Sequence, residues 1–316
     1  MAAADVGDDV YGEDPTVNEL ERLTAELLGK DAALFVCSGT QSNLLGVMSH
    51  CERGDEYIVG HDAHTYRYEG GGAAVLGSIQ PHPLQCQPDG TMDLDGVAAH
   101  VKPNDSHFAR TRLLCLENTH MGRVMPIAYT TQARALTRAH GLAMHLDGAR
   151  LFNAAIELGV PVRELAAPFD TVSVCLSKGL GAPVGSVLVG AREHVDKARR
   201  WRKVLGGGMR QAGILAAAGL YALGNHVERL RDDHDNAAAL AHGLREIPSA
   251  SVDGPYTNMV FLRLSADQLP RFTETLKREG ILVGAGNPLR LVTHMDIRRD
   301  DVLAFVTVVR SILAPN

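Results

Sequence analysis

A lysine, an aspartate and a short serine–glycine–threonine turn are the residues here whose types and settings could do chemistry together. Lys178 follows the apolar run Thr171–Leu176 and precedes Gly179-Leu180-Gly181-Ala182-Pro183. A lysine at the mouth of a buried strand loses hydration, which lowers its pKa, and a neutral amine attacks an aldehyde. A side chain that snorkels to solvent is the plainer alternative. Asp147 ends the run Leu142–Leu146 and leads into Gly148-Ala149-Arg150. A buried carboxylate needs a cationic or donating partner; a protonated pyridine nitrogen would serve, and so would Arg150 as a structural ion pair. Ser38-Gly39-Thr40 joins a strand to a helix start. There glycine admits close approach and the first N–H groups face an anion, although an ordinary helix cap uses the same residues. Ser177 fits a phosphate oxygen or a loop cap. His64 fits a ring lying flat on an aromatic cofactor, or a surface histidine. Taken together, the lysine, strand-end acid and anion loop meet the needs of pyridoxal 5′-phosphate (PLP): an aldehyde to hold as a Schiff base, a ring nitrogen to keep protonated and a phosphate to anchor.

The elements that must position these residues read as alternating strands and helices. Strands are expected at Ala32–Cys37, Tyr57–Val59, Arg112–Leu116, Leu142–Leu146, Thr171–Leu176 and Val184–Val189, with helices at Gln41–Cys51, Thr131–His140, Glu193–Val204 and Arg210–Leu223. Such alternation predicts an α/β fold with a mostly parallel central sheet sandwiched by helices. Polar side chains follow successive strands: Ser38, then His61 and His64, then Glu117-Asn118-Thr119-His120, then Asp147, then Ser177-Lys178. Ligands in open α/β sheets bind outside the carboxyl ends of strands, so these residues point to one crevice. After about residue 230 a small C-terminal α+β domain is expected, dividing the chain into 1–230 and 231–316. Its elements read as helices Asp232–Glu246, Ala266–Gly280 and Arg299–Leu313 and strands Asn258–Leu264, Ile281–Val283 and Arg290–Val292.

Bulk properties narrow the class. At 316 residues and 45% hydrophobic content the chain can bury a large core. A net charge of −6 argues against a general nucleic-acid or membrane-surface binder. The basic group Arg199, Arg200, Arg202 and Lys203 reads most simply as a solvated helix face. Five cysteines, an odd number without Cys-x-x-Cys, suggest free thiols in a reducing cytoplasm. No apolar run is long enough to span a bilayer, and Met1–Asp5 lacks the features of a secretory signal. A cytoplasmic location is expected. His61 and His64 lie three apart, but no metal site is expected from ligand spacing.

Several stretches resemble the low-specificity L-threonine aldolases, of the aspartate-aminotransferase-like, fold type I superfamily of PLP-dependent transferase-like folds. They are Val6–Thr16, Ser38–Asn43, His145–Arg150, Leu176–Gly181, Gly206–Gln211, Thr257–Met259 and Arg290–His294, in family order along nearly the whole chain. The resemblance implies that Lys178 forms the Schiff base and Asp147 pairs with the pyridine nitrogen. Arg150 would lie near the phenolic oxygen and the substrate carboxylate. Ser38, Gly39, Thr40 and Ser177 would hold the phosphate, and His64 would stack on the ring. His107 would approach the substrate hydroxyl, and Arg290 would bind the carboxylate from the small domain. Arg210, and Tyr11 from a neighbouring subunit, would complete the pocket, with Tyr68 on the aldehyde side. The implied reaction is reversible cleavage of L-threonine or L-allo-threonine to glycine and acetaldehyde, with His64, His107 or a held water as base. Another PLP lyase, an aminotransferase or a non-catalytic relative stands beside it. Homotetramers built from dimers, with active sites at subunit interfaces, are implied as well. Family members carry an Arg-Ser-Asp-Thr type segment ahead of the Gly-Asp-Asp-Val-Tyr stretch, whereas only Met1–Asp5 precede Val6 here; reduced activity or weaker assembly is therefore expected.

Overall fold

The structure, a computed structural model, describes residues 1–313. Those residues divide into two compact units, Met1–Val227 and a second from Glu228 onward. In the first, β1 (Ala32–Val36), β2 (Asp55–Gly60), β3 (Gln80–Leu84), β4 (Arg110–Glu117), β5 (Ala143–Gly148), β6 (Thr171–Cys175) and β7 (Ser186–Gly190) form one sheet. Their order is β1-β7-β6-β5-β4-β2-β3. β2, β3, β4, β5 and β6 are mutually parallel, whereas β7 runs antiparallel to both neighbours. Every residue of β1, β2, β6 and β7 is buried. Burial on both faces is why β1, β6 and β7 appear in the sequence as largely apolar runs rather than alternating ones.

Departures from the expected elements have local causes. β2 extends back over Asp55 and Glu56, two buried acids that no hydropathy pattern would place in a strand. The Arg110 Nε–H donates to Asp55 Oδ1 at 2.9 Å, and the Thr111 hydroxyl donates to Glu56 Oε1 at 2.9 Å. β3 contains Pro81 and Pro83 and lies at the sheet edge, the place where a strand tolerates proline. The helix Pro15–Leu28, absent from the sequence reading, starts where Asp14 Oδ1 accepts from the Thr16 and Val17 N–H groups at 3.1 and 3.0 Å. Asp14 Oδ2 also accepts from Gly213 N–H at 2.8 Å, joining this helix to the one at Gly213–Asn225.

The second unit contains β8 (Ser251–Tyr256), β9 (Met259–Arg263) and β10 (Leu289–Val292), an antiparallel sheet of order β10-β9-β8. Helices Leu230–Arg245, Gln268–Arg278 and Arg299–Leu313 share its core, centred on Leu244, Val260, Leu262, Phe272 and Val306. The expected strand at Ile281–Val283 does not form: exposed Leu282 and half-buried Ile281 and Val283 pack no sheet. Among the described residues no helix is long and apolar enough to cross a membrane.

Candidate active site

The carboxyl ends of β1, β2, β4, β5 and β6 lie along one edge of the sheet, and the polar residues expected to share a crevice follow them. Asp147, near the end of β5, is 2% exposed. Its Oδ2 accepts from Asn43 Nδ2–H at 2.9 Å and its Oδ1 from the Ala149 N–H at 3.0 Å. Burial, followed by the charges of Glu117 and Glu69, raises its pKa to about 6, while Lys178 and His64 act in the opposite direction. A cation placed against this carboxylate would restore its ionised form, which is what a protonated ring nitrogen does.

Asn43 lies on the helix Gly39–His50 and spends its second amide hydrogen on Glu69 Oε1 at 2.8 Å. The same Glu69 oxygen lies 2.8 Å from His64 Nδ1. His64 is anchored from its backbone as well, since its N–H donates to Glu117 Oε2 at 2.7 Å. The hydrogen bond to Glu69 raises the pKa of His64 against the opposing effect of burial. With Glu69 accepting from Nδ1–H, the neutral ring presents Nε2 as its free lone pair. His64, Glu69 and Asp147 bring ligand-type atoms within 4.8 Å of one another, a compact nest of negative charge suited to a cationic ring.

Ser38 heads the helix Gly39–His50, its hydroxyl accepting from Gln41 N–H at 3.2 Å. The cap reading therefore holds, and it leaves the N–H groups of Gly39 and Thr40 at the head of a twelve-residue helix, an anion-binding position. Beside Gly39 stands the buried Ser186 hydroxyl, which has no hydrogen-bond partner. That unpartnered donor, the helix head and the buried Asp147 together fit PLP, with its phosphate at one end and its ring nitrogen at the other.

At the mouth, Lys178 and Ser177 are exposed, which matches the alternative in which the lysine reaches solvent; Lys178 lies within electrostatic reach of Asp147 and His64. Arg150, half-buried, opens the helix Leu151–Leu158 next to Asp147. Tyr68, 55% exposed, sits with its ring 5.8 Å from that of His64. Tyr11 and Arg210 lie close together within the chain: the guanidinium lies 5.8 Å from the Tyr11 ring centroid and pairs with Asp8. His107 is set apart. It precedes β4 instead of following it, is 83% exposed and lies 2.6 Å from Asp105 Oδ1 through Nδ1. The eight residues of β4 span about 26 Å, so His107 does not reach the pocket of its own chain. Arg290 is exposed on β10 of the second unit.

Asn43, Glu69 and Glu117 carry much of the site, yet no role was read for them from the sequence. Glu117 had a signal, its place at a strand end. Asn43 stands within the Ser38–Asn43 stretch, and Glu69 precedes Gly70-Gly71-Gly72, but nothing local in either marks a ligand.

This fold and this cluster define the class of PLP-dependent enzymes. The sequence model for the beta-eliminating lyases matches residues 1–267. Among solved structures, the Leishmania major threonine aldolase superposes with a TM-score of 0.84 over 99% of this chain and 93% of its own, at 21% identity. A Sphingomonas wittichii serine palmitoyltransferase gives 0.77 over 99% and 80%, at 19% identity. Much nearer in sequence is the low specificity L-threonine aldolase of Escherichia coli K12, 54% identical over 99% of this chain and 94% of its own. The low-specificity L-threonine aldolase 1 of Arabidopsis thaliana is 46% identical over 96% and 88%. The chain belongs to the beta-eliminating lyase family, among the low-specificity L-threonine aldolases.

Proposed function

We propose that the protein is a carbon–carbon lyase that cleaves L-threonine and L-allo-threonine reversibly to glycine and acetaldehyde. The observation that carries this reading is the buried Asp147, held by Asn43 along the same sheet edge as Lys178 and His64. Bound PLP supplies an aldehyde for an amine and a ring that takes up the electrons of the breaking Cα–Cβ bond.

The chain's own residues do the rest. Lys178 would hold PLP through its amine. Asp147, ionised by a cationic neighbour, keeps the ring nitrogen protonated. Ser38, Gly39, Thr40 and Ser177 would anchor the phosphate. His64 would help hold the ring and would accept the β-hydroxyl proton at Nε2, directly or through a water, while Glu69 holds its Nδ1–H. Arg150 would take the substrate carboxylate, Tyr68 would border the aldehyde side, and Arg210, with Tyr11 from a neighbouring subunit, would close the pocket. His107 serves the pocket of another copy in a homotetramer of cytoplasmic protein, a reading supported by its exposure at the opposite edge from its own Lys178. Mixing Lys178→Ala and His107→Ala chains tests that exchange: recovered activity supports shared sites, and its absence after subunit mixing contradicts them.

The activity itself is tested by incubating purified protein with PLP and L-allo-threonine beside a Lys178→Ala control. Glycine and acetaldehyde should appear in equal amounts from the parent alone. Formation of pyridoxamine phosphate without aldehyde would instead identify an aminotransferase.

A further inference from the structure

One side of Asn43 faces Asp147; the other faces a buried histidine that the proposed chemistry leaves unused. His145, on β5, is fully buried. Its Nε2 lies 3.2 Å from Asn43 Oδ1 and its Nδ1 lies 2.8 Å from the Thr171 hydroxyl. Thr171 is the register partner of His145 across β5 and β6, and its hydroxyl also lies 2.9 Å from His50 Nε2.

The direction of every bond in this chain is forced. Asn43 Nδ2 gives its hydrogens to two carboxylates, Asp147 and Glu69, so Oδ1 must accept. His145 therefore carries its proton on Nε2. Burial lowers its pKa to about 3, so the ring is neutral and Nδ1 is a bare acceptor. Thr171 must then donate to Nδ1 and can accept only from His50 Nε2–H. The helix Gly39–His50 is cut to fit this chain: Asn43, Gly46 and His50 follow at i, i+3 and i+7 along one face. A Cβ on Gly46 would stand 2.3 Å from His145 Cε1, so the glycine leaves the space the ring occupies.

We infer that His145 and Thr171 are positioning residues for Asp147, acting through the amide of Asn43. An Asn amide can turn over, and the turned form would aim its carbonyl oxygen at two carboxylates. The His145 Nε2–H, fixed in that tautomer by Thr171, favours the orientation that gives N–H groups to Asp147 and Glu69. Asp147 thereby keeps its placement towards the ring nitrogen. The inference rests on the proposed pairing of Asp147 with PLP.

The test uses the full chain. In the PLP-bound parent, 15N NMR of labelled histidine should show one imidazole that stays neutral, with Nε2–H and a bare Nδ1, assigned by its loss in His145→Gln. An Nδ1–H tautomer or an imidazolium at neutral pH overturns the inference. PLP affinity, measured by titration of the apoprotein, should weaken about tenfold in His145→Leu, which leaves Asn43 Oδ1 without a donor. It should weaken similarly in Gly46→Ala, which displaces the ring. His145→Gln, whose amide can still donate to Asn43, should stay within about twofold of the parent. Equal losses in the Leu and Gln variants overturn the positioning role. Asp147→Ala separates the two claims. Unchanged affinity there refutes the Asp147–PLP pairing, whereas a loss there with none in His145→Leu refutes only the inference.

Discussion

The two ends of the cofactor site are built on opposite principles. Around Asp147 each polar group has a named partner: Asn43 divides its amide between two carboxylates, Ala149 donates from the backbone and Glu69 holds His64. At the mouth, Lys178, Ser177 and Tyr68 are exposed. The buried end can set a charge because nothing there needs to reorganise when the ring arrives. On the proposed reading the mouth exchanges one amine for another and admits an aldehyde, and an exposed lysine leaves room for both. The proposed site would thus fix its electrostatics deep in the sheet and keep its covalent chemistry at the mouth.

Breaking the mouth should have the largest effect. Lys178→Ala is expected to abolish aldehyde release while the protein keeps its fold, which circular dichroism would verify; release near the parent rate would remove the lysine from the mechanism. Next comes the junction between the two ends: His64→Asn should lower kcat about 100-fold or more with a smaller change in KM. A change confined to KM would make His64 a binding group only.

The buried end should show itself as a pH dependence of stability. Asp147 titrates at about 6 in the folded apoprotein, above the ordinary carboxylate value near 3.9. A raised carboxyl pKa means that the folded state prefers the proton. That stabilisation is full below about pH 4 and is lost as pH rises through about 6. Relative to Asp147→Asn, the apoprotein should therefore lose stability across that window, by up to about 3 kcal/mol. PLP should flatten the slope by supplying a cation. Denaturant melts of both proteins from pH 4 to 8, with and without PLP, would check this; parallel curves would mean that Asp147 is not strained. The smallest effect is expected far from both ends. Asp14→Ala removes a cap bonded to four N–H groups and should cost about 2 kcal/mol of stability without altering the PLP spectrum.

The same contrast explains what could be read from the sequence. Lys178, Asp147, Ser38 and His64 could be picked out as candidates because each lies at or within a few residues of the end of an apolar run, and a parallel sheet brings such positions to one edge. β1, β6 and β7 were legible because burial on both faces leaves continuous apolar runs. Asn43 and Glu69 were not, because their roles come from three elements meeting in space and neither has a local signature. The exposure of Lys178 was left open by the sequence for a related reason: the run before it is buried, but the two residues after Leu176 are exposed. β2 was read short because its buried acids are paired by Arg110 and Thr111 from a neighbouring strand, a long-range fact. His107 was assigned by resemblance alone, and within its own chain it lies at the other edge of the sheet.

The central claim is that Lys178 carries PLP over Asp147. Borohydride reduction of the PLP-loaded protein, followed by peptide mass mapping, tests it most directly. A phosphopyridoxyl mass on the peptide containing Lys178, absent from the Lys178→Ala protein, is the result this account predicts. The modification on another lysine, with Lys178 unmodified, would contradict it.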